Sequence, residues 1–299
     1  DKVINGKYFS EVDKYLSDQF IGRNTWISIN FFVNRLIGKK EAAGVYFGKK
    51  EYLFDKPVIP DDEAIEKSVN SIKKFAKNHP DININFAIVP CSGAILTEYL
   101  PANAPIRNQL ADISKVYDSL FDTEIKLADI SKLFMEHKDE ELYYHTDHHW
   151  TTLGSYYAFK TINANLGNED SVEAYTHYTV SKAFKGTLAS KVGNVKYEDT
   201  IEIFVPDNIV ENYYVSYPDS NITRASVYDS SKLKEKDQYQ VFLGGNFPYI
   251  EISTANDTEK TILIFKDSYA NSFVPFLLHY YDTIILIDPR YYYGEVDTL

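Results

Sequence analysis

A chain of 299 residues with 44% hydrophobic and 15% aromatic residues has ample apolar mass for a packed core, which excludes a disordered polymer. The net charge of -12 excludes nucleic acid and anionic membrane surfaces as natural partners, since both demand a basic face. The single cysteine, Cys91, excludes an internal disulfide.

In chain order, "YFSEVDKYLSDQFIGRNTWISINFFVNRLIG" carries apolar residues at helical spacing and ends at Gly38. "GVYFGKKEYLF" reads as a hairpin of two short strands. "PDDEAIEKSVNSIKKFAKNH" is an amphipathic helix with acids in its first turn and lysines in its later turns, as the helix dipole prefers. "INFAIVP" is a buried strand, and the helix-then-strand pattern repeats with "ISKVYDSLFD" and "EIKLADI". "TTLGSYYAFKTINANLG" is a helix closed by Gly167. Residues from about 168 to 258 are richer in turns and short tyrosine-laden strands, such as "IEIFVPDN", "NYYVSY" and "QYQVFLGGN". The last part runs strand "TILIF", turn "KDS", helix "YANSFVPFLLHYY", strand "TIILI" and then "DPRYYYG". Strand–helix–strand with short connections implies parallel pairing and a right-handed crossover. The expectation is one α/β domain over 1–299, with an irregular β-rich insertion at about 168–258.

The sequence opens at "DKVINGKYFS" without an initiator methionine, and it has no signal peptide and no run of about eighteen apolar residues. That raises the expectation of an upstream segment, such as a membrane anchor. The 25 tyrosines fit a carbohydrate groove, where the ring stacks and the hydroxyl bonds; they fit half-buried strands equally well.

Two segments carry the chemistry. In "TILIFKDSYANSF" a buried strand runs to Phe265, turns, and launches a helix near Ser268. A serine there stands among free N–H groups that favour negative charge, which suits a nucleophile whose oxyanion forms beside them. It also suits an ordinary helix cap. The second segment is "YYHTDHHWTTLGSYYAF", which holds His145, Asp147, His148, His149 and Trp150. Asp147 and His149 are two apart, so an extended segment turns both to one face and His148 to the other. Asp147 then holds His149 in the tautomer whose free nitrogen faces Ser268. Alternatively, Asp147 or Thr151 caps the following helix and the histidines are surface residues. His145, Asp147, His148 and His149 are also possible metal ligands, but His79, His137, His177 and His279 are scattered without a carboxylate-rich partner motif.

"TDHHWT" followed downstream by "KDSYANSF" resembles the DHHW family, which is similar to the polysaccharide O-acetyltransferases of the AlgJ and AlgX type. "FGKKEYLF", "IVPCSGAILTEYLP", "FKGTLASKVG", "YQVFLGGN" and "IDPRYY" look like its landmarks, in the expected order. The resemblance implies an SGNH-hydrolase-like, flavodoxin-like fold. That means a mostly parallel sheet with helices on both faces and a permuted motif order, the Asp-x-His block preceding the serine. It implies Asp147 as acid, His149 as base and Ser268 as nucleophile. The Ser268 N–H is then the first oxyanion donor, and Asn271 and Asn246, the latter in the Gly245-Asn246 pair, are candidates for the second. Arg290 and Trp150 are further candidates for the cleft, and each has an ordinary structural role as its alternative. Two departures stand out: Lys266 occupies the glycine position of the usual Gly-Asp-Ser, and Cys91-Ser92-Gly93 stands where relatives often carry a lysine.

The implied activity is extracytoplasmic O-acetylation of a polysaccharide acceptor through an acetyl-serine, without metal or cofactor. The acetyl donor would be delivered by a membrane-bound O-acyltransferase partner. An acetylesterase with the same triad is the alternative, and a non-catalytic glycan-binding or scaffold protein, kept open by Lys266, is the second.

Overall fold

The hairpin expected from "GVYFGKKEYLF" forms as β2 (Val45–Phe47) against β3 (Leu53–Asp55), with β1 (Glu41–Ala42) completing a small antiparallel sheet. The computed structural model describes residues 29–296 apart from 30, 35, 59, 169–171, 173, 194 and 209–211. Most of the first expected helix lies outside those residues; within them, 31–34 are helical.

The expected amphipathic helix is α1 (Asp62–Asn78), whose Asp61 cap accepts the Glu63 N–H. The two helix–strand repeats form with shorter strands than expected. β4 (Asn85–Phe86) and β5 (Lys126–Leu127) pair in parallel, with α2 (Ser92–Ile95) and α3 (Gln109–Leu120) between them. After α4 (Ser131–Glu136), α5 (Thr152–Leu166) follows the histidine-rich segment. Thr151, not Asp147, caps α5 by accepting the Gly154 N–H, and Gly167 at φ +78° ends it in the left-handed region.

The region 168–258 contributes more regular structure than its composition suggests. β6 (Tyr175–Phe184) and β7 (Asp199–Pro206) form a long antiparallel ribbon, with α6 (Thr187–Val192) between them. β8 (Tyr213–Tyr217), β9 (Ile222–Arg224) and β10 (Tyr249–Thr254) enter the main sheet beside β11 (Thr261–Phe265) and β12 (Thr283–Ile287). "QYQV" is a 3₁₀ turn, not a strand.

The main sheet runs β11-β12-β10-β8-β9. Only β11 and β12 pair in parallel; β12–β10, β10–β8 and β8–β9 are antiparallel. The α/β class therefore holds with mixed sheets, not a mostly parallel one. The parallel step is the one with a helical crossover, and β8 to β10 pair antiparallel through turn-rich connections. The expected helix "YANSFVPFLLHYY" is also different: it forms two 3₁₀ turns, Ser268–Ser272 and Val274–Leu277. Pro275 lacks the N–H that a continuous α-helix needs there.

The crossover packs its apolar side onto α5. Phe159 stacks on Phe276 with ring centroids 5.2 Å apart, and both are buried. Such a pair is worth about 0.5–1.5 kcal/mol beyond its buried area. It packs the middle of α5 on the second 3₁₀ turn, which follows the serine turn. No described helix is long and apolar enough to cross a membrane.

Candidate active site

The histidine-rich segment is a closed loop, not an extended strand. An antiparallel bridge of Tyr143 to Trp150 pins its ends, and Tyr144 N–H donates to the His149 carbonyl. Inside the loop Asp199 accepts the His145 and Thr146 N–H groups, each at 2.8 Å. His145 is clamped between the rings of Tyr52 and Tyr197, at 3.7 and 4.1 Å, which makes it a packing residue.

Asp147 and His149 do meet, through a turn and not through strand alternation. Asp147 Oδ1 accepts the His149 backbone N–H at 3.0 Å, an Asx-type turn. The same oxygen accepts His149 Nδ1–H at 2.6 Å. A carboxylate can only accept, so Nδ1 carries the proton and Nε2 is left as the acceptor. Ser268 Oγ stands 2.8 Å from that Nε2, across 119 residues of sequence. Asp147, His149 and Ser268 thus form one hydrogen-bonded line. Asp147 is fully buried and His149 is 5% exposed.

The second Asp147 oxygen accepts Thr187 N–H at 2.6 Å and Thr187 Oγ–H at 2.9 Å. Gly186 makes that approach possible, because a Cβ there would lie 2.3 Å from Asp147 Oδ2. Burial alone would raise the Asp147 pKa. The hydrogen bond from His149, the nearby His149 and His148 charges and the Thr187 N–H outweigh it, holding the carboxyl well below the usual range. His148 does not point away. Its ring lies 3.9 Å from that of His149, and its Nδ1 is 2.8 Å from Thr187 Oγ1 and 3.5 Å from Asp147 Oδ1. Burial, then the neighbouring His149, holds its pKa below the ordinary histidine value.

Tyr239 covers the base. Its ring stacks on His149 at 3.9 Å and 10°, and its hydroxyl donates to the Ser268 carbonyl at 3.2 Å. Trp150 is 2% exposed, so it is out of reach of a substrate; its Nε1–H donates to the Tyr269 carbonyl and to Ser272 Oγ, each at 2.9 Å. It ties the loop to the serine turn. Asp267 caps that turn by accepting the Tyr269 N–H, and Ser268 is its first residue, with no carbonyl behind it in the turn to accept its N–H.

Of the other expected site residues, Asn271 and Asn246 come together: Asn271 Nδ2 donates to Asn246 Oδ1 at 3.1 Å. Gly245, at φ +116°, gives its N–H to the Phe242 carbonyl at 3.3 Å, so it shapes the turn before Asn246 instead of offering a donor. Arg290 is held by Asp288 in a two-pronged ion pair at 2.8 and 2.6 Å, the structural alternative for this residue. Lys266 is buried and donates a hydrogen bond to Asn271 Oδ1 at 2.8 Å. Sequence reasoning missed Thr187, Gly186, Tyr239 and Asp199 as parts of this site. Two landmarks carried a signal without a role: "FKGTLASKVG", which holds Gly186 and Thr187, and "YQVFLGGN", which begins at Tyr239.

Asp147, His148 and His149 also each offer a ligand atom, all within 4.8 Å of one another. A cation there would compete with the hydrogen bond that His149 Nδ1–H donates to Asp147.

Residues 82–287 match the model of a family described as DHHW protein. A DHHW family protein from Eubacterium siraeum is similar in structure, with a TM-score of 0.71, 23% identity and 86% of each chain covered. PatB1 of Bacillus cereus, solved with a sulfonyl adduct, gives a TM-score of 0.67 at 17% identity, over 84% of this chain and 87% of that one. At these identities both likenesses establish the fold. In sequence, the chain is 21% identical over 210 residues to the probable alginate O-acetylase AlgJ of Pseudomonas syringae pv. tomato, covering 63% of this chain. It spans about half, 51%, of that relative's length.

Proposed function

The chain belongs to the DHHW family, and from that premise we propose that it is a serine-dependent O-acetyltransferase that acetylates sugar hydroxyls of a polysaccharide outside the cytoplasm, on an SGNH-hydrolase-like scaffold. The observation that carries this reading is the line of Asp147, His149 and Ser268 at 2.6 and 2.8 Å, with the carboxylate fully buried. The similarity to a probable alginate O-acetylase supports the choice of acyl group and acceptor class.

The reaction runs in two halves. His149 Nε2 takes the proton of Ser268 Oγ as that oxygen attacks the acetyl carbonyl of the donor. The Ser268 N–H and an asparagine amide stabilise the oxyanion. As the tetrahedral intermediate collapses, His149 returns the proton to the departing donor group, leaving acetyl-serine. A sugar hydroxyl then gives its proton to His149 and attacks the same carbonyl. Collapse transfers the acetyl to the sugar, and His149 reprotonates Ser268. Asp147 keeps the imidazole oriented and stabilises its charged form. Tyr239, over the His149 ring, limits water access and so favours the sugar over hydrolysis. No cofactor or metal takes part. The donor acetyl reaches the site from a membrane-bound O-acyltransferase partner.

The test is incubation with p-nitrophenyl acetate and oligosaccharide acceptors, followed by mass spectrometry of the sugars. Acetylated sugar that disappears with Ser268→Ala supports transfer. Free acetate alone, at the same rate with and without sugar, identifies an acetylesterase instead. Neither product points to a glycan-binding protein with an idle triad. Dialysis against a chelator leaves turnover unchanged; loss restored by zinc would overturn the metal-free mechanism.

A further inference from the structure

Lys266 is only 5% exposed, a costly position for a side chain whose charged form burial disfavours. Its Nζ lies 2.8 Å from Asn271 Oδ1 and 3.5 Å from the Asp267 carbonyl. Asn271 Nδ2 lies 3.1 Å from Asn246 Oδ1. Asn246 is exposed, and its amide nitrogen has no hydrogen-bond partner among the described residues. Ser268 and Asn271 are three residues apart in one 3₁₀ turn, where side chains at that spacing eclipse each other.

An ammonium can only donate. The Asn271 atom facing it is therefore the carbonyl oxygen, which turns the Asn271 NH₂ towards Asn246. The Asn246 atom facing that NH₂ must in turn be oxygen, which leaves the Asn246 NH₂ free to donate. The charge on Lys266 thus sets the direction of both amides.

We propose that Lys266 is a positioning residue: it fixes the donor direction of the Asn271–Asn246 pair, so that Asn246 presents an N–H to the oxyanion formed on the carbonyl attacked by Ser268. This rests on the reading of Ser268 as the nucleophile. A neutral Lys266 has a lone pair and can accept. The amides then have no enforced direction, and the reversed arrangement turns carbonyl oxygen towards the developing charge. Burial lowers the Lys266 pKa to about 8, with Arg290 adding to the fall and Asp288 and Asp267 opposing it. Asp288 is itself engaged by Arg290. Oxyanion stabilisation therefore weakens as pH rises through about 8. The loss falls on kcat, not on KM, because the interaction is made in the transition state.

The experiment is p-nitrophenyl acetate turnover between about pH 6 and 10, the range that spans the ordinary and lowered lysine values. It uses the intact chain and its Lys266→Met, Lys266→Gln, Asn246→Ala and Ser268→Ala variants. The unmodified chain loses kcat above about pH 8. Lys266→Met and Asn246→Ala each lower kcat at neutral pH by about tenfold or more, towards the range for a lost oxyanion donor, and both abolish the alkaline fall. Lys266→Gln, whose NH₂ still donates, retains part of the rate without the alkaline fall. The double variant Lys266→Met, Asn246→Ala is no slower than the worse single one, because the two act in one line. Unchanged kcat in Lys266→Met and Asn246→Ala, or an alkaline fall that persists in both, overturns the proposal. If Lys266→Met does not fold, Lys266→Gln and the surface variant Asn246→Ala decide by the same criterion. Wild-type turnover in Ser268→Ala marks failure of the nucleophile assignment itself, separately from Lys266.

Discussion

Ser268 and three residues near it divide sharply by what each touches. Ser268→Ala and His149→Ala should each lower esterase kcat by about 10³-fold or more, and to the same floor, since members of a triad act as a unit. Asp147→Asn should fall between them and the unmodified chain. His148→Ala should cost about tenfold or less, because its visible bond is to Thr187 and a single neutral hydrogen bond is worth about 1 kcal/mol. Steady-state kinetics on the four variants checks this ranking. Lys266 gives a stability prediction at the same scale. Its folded pKa, about 8, lies below its ordinary 10.5, so between those values the unfolded chain holds more protons and stability rises with pH. The buried tyrosines, whose pKa values are raised, act oppositely near pH 10, so the rise should appear in urea unfolding as the difference between the unmodified chain and Lys266→Met. The convergence of Asp147, His149 and Ser268 on one hydrogen-bonded line was legible at this scale, because Asp-x-His and a serine after a buried strand are local patterns. The direction of His148 was not, since it depended on an assumed extended backbone that an Asx turn replaces.

At the scale of elements, the site is held by pieces that approach from separate parts of the chain. The loop 143–150 is pinned by its own bridge and by Asp199 at the start of β7; α6 delivers Thr187 to Asp147. Trp150 and Tyr239 fix the serine turn from two sides. Gly186→Ala tests this arrangement. The added Cβ meets Asp147 at 2.3 Å, so the carboxylate must move off His149. We expect a loss of about 10²-fold or more in kcat, in line with the cost of a small misplacement at a reacting centre. Tm should fall as well, because a fully buried carboxylate loses hydrogen bonds, read by thermal melting of the same preparation. An activity equal to the unmodified chain would show that the loop has freedom to absorb the methyl group. Asp199 left no readable pattern, and Thr187 showed only as part of a landmark without a role, because their partners are long-range. The helix boundaries of α1 and α5 were legible because Asp61, Thr151 and Gly167 are local caps.

At the scale of the whole molecule, the difference from expectation lies in strand direction. The region 168–258 supplies β8, β9 and β10, three strands of the main sheet, with β10 hydrogen-bonded to β12 along five residue pairs. Period-two patterning marks a strand but carries no direction, and the tyrosine-rich turns concealed that these strands complete the core. Shared hydrogen bonds of this kind predict one cooperative transition, with far-ultraviolet dichroism and tryptophan fluorescence melting together. Two separated transitions would mean that β8–β10 and β11–β12 unfold independently. The central claim, that this fold carries an acyl-transfer enzyme, is tested most directly by trapping the covalent state. The chain is mixed with p-nitrophenyl acetate, quenched in acid within the first turnover, and digested for mass spectrometry. The account predicts one acetyl group on the peptide containing Ser268, absent from Ser268→Ala. No acetylated peptide during active turnover, or acetyl on another residue that persists in Ser268→Ala, would contradict it.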